Sequence, residues 1–158
     1  MRTPLIALAI AAASLPLAAC NPAGPKGIDG DLLTQEVSKA IGDPNTCVLI
    51  VEKGGGKVVW RYGDYSTCAV SMASCQGSAA LNADGLAKLA AAGEVRTLSC
   101  DSEPDGASRV GWASGPITPS PGAKYGDLAY AAVMEGPTVL PGREIKVRLE
   151  AAFRRAGM

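Results

Sequence analysis

Histidine is absent, and two tryptophans, four tyrosines and one phenylalanine are all the aromatics in 158 residues. The first absence removes every nucleophile that works through an imidazole, because neither a Ser–His nor a Cys–His pair can be assembled. A Ser–Lys hydrolase needs Ser-x-x-Lys. Ser66, Ser71, Ser74 and Ser78 are followed three places on by Ala69, Ser74, Gly77 and Leu81, and no Lys-[Ser/Thr]-Gly occurs. Excess charge of one sign is lacking too: 15 basic groups meet 15 acidic ones, whereas nucleic-acid-binding domains are usually basic. No apolar run reaches the roughly 20 residues that span a bilayer. Catalysis by paired carboxylates stays open, because such groups are neighbours in space and need not be neighbours in sequence.

The uncharged run Pro4–Ala19 follows Arg2 and ends in small residues before Cys20. A basic start, an apolar middle and a small-residue cleavage point are the parts of a secretory signal. Leu17, Ala18, Ala19 and Cys20 match the lipobox L-[AS]-[GA]-C at each position, so the N-terminus resembles that of bacterial lipoproteins. The resemblance implies removal of residues 1–19, a diacylglyceryl group on the Cys20 sulfur and an acyl group on its amine. Two or three acyl chains make a stable bilayer anchor. In Gram-negative lipoproteins an Asp after the Cys favours inner-membrane retention; Asn21 stands here, which implies outer-membrane sorting with the domain facing the periplasm. The alternative is an ordinary cleaved signal that leaves Cys20 a free thiol. Residues 20–30, with Pro22, Pro25, Gly24, Gly27 and Gly30, read as the lipidated Cys and a flexible linker.

Residues 31–158 are enough for one domain with its own core. With Cys20 lipidated, Cys47, Cys68, Cys75 and Cys100 remain. An even number in an exported domain predicts two disulfides. Three pairings are possible; the favoured one is a local Cys68–Cys75 clip with Cys47–Cys100 joining two strands. A four-thiolate zinc site would want two closely spaced pairs, and only one pair is close.

Apolar periodicity predicts helices over Asp31–Ile41, Asn82–Ala92 and Pro141–Ala156, and strands over Cys47–Glu52, Val58–Tyr62, Glu94–Cys100, Ser108–Ala113 and Asp127–Glu135. Residues 64–80 read as an irregular disulfide-clipped segment, and 115–126 as a Pro/Gly/Ser loop. The order α-β-β-α-β-β-β-α predicts an α+β domain with one antiparallel sheet of about five strands flanked by helices. That order is similar to the profilin/roadblock-like layout, which implies a ligand-sensing pocket. It is also similar to the penicillin-binding or β-lactamase fold stripped of its helical domain, which without the Ser–Lys motif implies an inactive relative.

Three short stretches were candidates for chemistry. KGGGK, Lys53–Lys57, leads into a strand where a phosphate loop leads into a helix, so it reads as a hairpin turn. DSEPDG, Asp101–Gly106, begins like a calcium loop, but Arg109 and Trp112 occupy the later ligand positions; a turn is the simpler reading. In WRYGDY, Trp60–Tyr65, the alternation places Trp60 and Tyr62 on one face, read as core, and Arg61 on the other. Arg61, Tyr65 and Trp112 are the interface candidates, aromatics and arginine being favoured at binding hot spots. The last helix carries Arg143, Lys146, Arg148, Arg154 and Arg155 against Glu144 and Glu150, read as a solvated face whose late arginines complement the helix dipole. The inventory predicts no catalytic residue, no metal and no cofactor. The function expected is a membrane-tethered envelope lipoprotein, a non-enzymatic binding or accessory domain acting by protein–protein contact. A small envelope hydrolase using carboxylates, or a ligand-sensing domain, are the alternatives.

Overall fold

Leu33, Val37, Ala40 and Ile41 fall three and four residues apart, and the stripe they make is the buried side of α1 (Gly30–Ile41). The Asp29 carboxylate caps this helix by accepting from the Asp31 and Leu32 amides. The computed structural model describes residues 23–77 and 79–158. The lipobox and Cys20 lie outside them. Five strands follow in one antiparallel sheet: β1 (Thr46–Glu52), β2 (Val58–Tyr62), β5 (Arg96–Asp101), β6 (Arg109–Ile117) and β7 (Leu128–Gly136). Their spatial order is β2-β1-β7-β6-β5. The α+β architecture expected from the periodicity is the one observed.

Both faces of the sheet are covered, which explains the near-continuous burial of β1 and β7. One face packs on α1 and α4 (Gly142–Arg155) through Val48, Ile50, Tyr130, Ile145, Leu149 and Phe153. The other packs on α3 (Ala83–Ala91) through Leu49, Val51, Ala129, Ala131, Leu86 and Ala90. The alanines explain how a chain with so few aromatics fills its interior: short side chains on β7 and α3 let the helix lie close to the sheet. Trp60 is buried on the α1 side, and Tyr62 packs partly buried beside it.

Two glycines set the position of α4. A Cβ on Gly142 would stand 2.2 Å from the Trp112 carbonyl oxygen and 2.5 Å from that of Leu98, and one on Gly111 would stand 2.3 Å from the Leu140 carbonyl oxygen. The first turn of α4 therefore rests on the backbone of β5 and β6.

The segment read as irregular contains structure. A short helix, α2 (Tyr65–Ala69), and a two-stranded hairpin, β3 (Met72–Ala73) with β4 (Ala80–Leu81), lie on the α3 side. The disulfide pairing differs from the favoured one: the bonds are Cys47–Cys68 and Cys75–Cys100, with Cα separations of 5.2 and 5.5 Å. The reason lies in the path between Cys68 and Cys75. Cys68, in the last turn of its helix, lies against β1, while the hairpin carries Cys75 across to β5 and the Trp112 indole N–H on neighbouring β6 holds the Ala73 carbonyl at 2.8 Å. Each bond ties one end of the excursion to the sheet. β6 is also longer than expected, running four residues past Ala113 to Ile117 through Gly115 and Pro116. Pro116 is tolerated because β5 begins only at Arg96, opposite Ser114, and leaves β6 unpaired beyond it on that side.

Candidate functional site

β2 is an edge strand, and its register with β1 sets Arg61 opposite Leu49. Arg61 thus stands on the α2/α3 face, opposite in direction to Trp60 and Tyr62. After Tyr62 the chain turns at Gly63, whose φ is +88° and whose Cβ would meet the Thr46 carbonyl oxygen at 2.3 Å. Glycine allows both the conformation and the approach. The turn starts α2, which the Cys47–Cys68 bond ties to β1, and leaves Tyr65 69 % exposed at its head. The Arg61 guanidinium carbon lies 5.3 Å from the centre of the Tyr65 ring, within the range of a cation–π contact. Arg61 Nε is buried and has no hydrogen-bond partner among the described residues. Arg61 and Tyr65 therefore form one unit, and Val70, at the far end of α2, is also exposed.

Trp112 does not join them. It is 1 % exposed, packs in the core on the α3 side, and spends its only donor on Ala73. As an interface candidate it is corrected to a core residue. Its indole pins the β3–β4 hairpin to the sheet.

The cations of α4 are largely occupied. Arg148 pairs with Glu144 at 2.8 Å, Lys146 with Glu150 at 3.7 Å, and Arg155 with Glu36 on α1. Hydrogen bonds from Arg155, and then from Lys39, hold the Glu36 carboxyl below the ordinary carboxylate range. This shift is opposite to what a general acid needs. DSEPDG is folded as a turn: the Gly106 amide donates to the Glu103 carbonyl, Ala107 N–H to Asp105, and Asp101 pairs with Arg109 at 3.2 Å. Among the described residues no group of three His, Cys, Asp or Glu side chains is gathered for a metal. None of their helices is long and apolar enough to cross a membrane.

Two clefts remain. One, about 450 Å³, lies between the end of β6 and the end of α4, where Glu150 and Arg154 face Ser120, whose hydroxyl donates to the Met158 carbonyl at 2.6 Å. The other, about 550 Å³, collects four lysines from three separate segments: Lys26, Lys53 and Lys57, and Lys124, together with Glu52, Asp127 and Tyr125. KGGGK is the hairpin turn expected. Its Lys53 amide donates to the Asp127 carbonyl at 3.0 Å, and its Gly54 amide to the Ala91 carbonyl at 3.1 Å. These bonds place both turn lysines beside the start of β7. The lysine cleft escapes a reading of the sequence because Lys26 and Lys124 reach it only through the topology; the single local signal is the pair of lysines flanking the glycines. Comparison with protein-family models, with curated proteins and with solved structures finds no match to this chain.

Proposed function

We propose that the protein is a lipid-anchored domain of the bacterial cell envelope that binds a protein partner and catalyses nothing itself. The lipobox ending in Cys20 supports the anchor. The two disulfides support an oxidising, extracytoplasmic compartment, and Asn21 supports the outer membrane, facing the periplasm, in a Gram-negative host.

The observation that carries the binding reading is the Arg61–Tyr65 pair. A ring left 69 % exposed, with a guanidinium 5.3 Å from its centre, offers apolar area and fixed charge at the edge of the sheet. Such residues are favoured as anchors in protein interfaces. A disulfide-held helix keeps the pair in place before any partner arrives, which lowers the ordering cost of binding.

The test is site-specific photo-crosslinking in living cells, with the crosslinker at Tyr65 and, as control, at the exposed Val147 of α4. One dominant protein adduct from position 65, absent from 147, is the expected result. No protein adduct from position 65 above the control overturns the binding reading. The anchor is checked separately: Cys20→Ala should move the protein out of the membrane fraction, and full retention of that variant overturns the anchor.

A further inference from the structure

We propose that the cleft of Lys26, Lys53, Lys57 and Lys124 is a docking face for anionic phospholipid headgroups, and that it fixes the domain's orientation on the bilayer that holds Cys20. The inference rests on the lipid anchor proposed above. Two observations converge on it.

The first is chain length. The Gly24 amide donates to the Val59 carbonyl on β2 at 3.1 Å, and Pro25 is buried, so the domain takes hold of the chain four residues after Cys20. Four residues reach at most about 14 Å when fully extended. The second half of the stretch read as a linker is thus docked, and Gly24, Pro25 and Lys26 themselves line the cleft. The cleft therefore lies beside the point where the tether enters the domain.

The second is charge. All four lysines are exposed, and none takes part in an ion pair found among the described residues. Against Glu52 and Asp127 they leave the cleft at +2. The chain from Cys20 onward has 14 basic and 15 acidic groups, net −1, so everything outside the cleft sums to −3. A domain that is acidic elsewhere and basic at its tether is oriented by an anionic surface.

The geometry also joins this face to the partner face. Lys57 and Val59 mark one end of β2, and Arg61 lies about 13 Å along the strand from Lys57. With the lysines on the bilayer, Arg61 and Tyr65 stand at the end directed away from it.

The test uses the mature lipidated protein, reconstituted into phosphatidylcholine vesicles and into phosphatidylcholine vesicles doped with phosphatidylglycerol. Acetylation by a water-soluble reagent is followed for each lysine by mass spectrometry and expressed relative to Lys88. The expected result is about a fivefold slowing at Lys26, Lys53, Lys57 and Lys124 with the anionic lipid, the factor one lysine near such a surface is worth. Lys146 should not change, and high salt should abolish the slowing. In Lys53→Gln/Lys57→Gln the two remaining lysines should return toward their phosphatidylcholine rates. Protein that floats with both vesicles and shows unchanged ratios overturns the docking face alone. Slowing by inorganic phosphate in phosphatidylcholine vesicles, with none from the anionic lipid, overturns it in favour of a free phosphate site. Protein that does not float with phosphatidylcholine vesicles overturns the anchor and the docking face together.

Discussion

The Gly142 amide at the start of α4 donates to the Ser99 hydroxyl on β5 at 2.8 Å. A helix interior begins here with no side-chain cap of its own, and a strand serine supplies the acceptor. The contact exists only because the helix lies directly on the sheet backbone. Gly142→Ala should therefore destabilise the domain by about 3 kcal/mol, the upper part of the range for overpacking, since its Cβ would meet two carbonyl oxygens that cannot rotate away. Ser99→Ala should cost only about 1 kcal/mol, one hydrogen bond. Urea titration checks both; a Gly142→Ala midpoint equal to that of Ser99→Ala would show that the helix shifts freely.

Much of the frame was legible because apolar spacing records burial. Leu33, Val37 and Ile41 announce α1, and the run from Cys47 to Val51 announces a strand covered on both faces. What escaped has one cause, the dependence of a local meaning on distant neighbours. Pro116 looks like loop and lies in a strand because β5 stops short of it. Cys68 and Cys75 look like a clip and part because α2 and the hairpin fix them to different strands. Trp112 looks like an anchor for a partner until the Ala73 carbonyl takes its N–H. Of the binding candidates, Arg61 could be assigned a face by alternation alone, and Tyr65 needed only to follow the turn at Gly63.

The disulfides span 21 and 25 residues in loops that do not overlap in sequence. Loop-closure entropy gives each about 3.5 kcal/mol, and independent loops make the two contributions additive. Cys47→Ser/Cys68→Ser and Cys75→Ser/Cys100→Ser should each lower stability by about that amount, and full reduction by about twice as much. Thermal melts with and without reductant measure the effect. Peptide mapping without reduction should recover Cys47 joined to Cys68; a Cys68–Cys75 peptide would refute the pairing.

Tyr130 is wholly buried on β7, edge-on to Phe153 with ring centres 5.4 Å apart, and its hydroxyl has no hydrogen-bond partner among the described residues. Burial, with the charge of Glu150 acting in the same direction, pushes the phenol above its ordinary pKa. The ring is useful to the core and the oxygen is not. Tyr130→Phe keeps the aromatic packing and removes an unsatisfied polar atom, so it should stabilise the domain by about 1 kcal/mol. A clear loss of stability in calorimetry would mean that the hydroxyl is satisfied in solution by ordered water.

Glu36 joins α1 to α4 through Arg155 and accepts from Lys39 at 3.0 Å. Its folded pKa lies below the ordinary glutamate value of about 4.5 because these hydrogen bonds favour the carboxylate. The unfolded chain therefore takes up a proton first as pH falls. The stabilisation is complete above pH about 4.5 and is lost as pH drops through the lower, folded value. Glu36→Gln removes the charge without removing the shape. It should be less stable than the parent at neutral pH, and the gap should close on the acid side of that window. Urea midpoints across the acid range check the prediction. A gap that stays constant with pH would assign Glu36 a packing role and leave the Arg155 charge irrelevant to the union of the two helices.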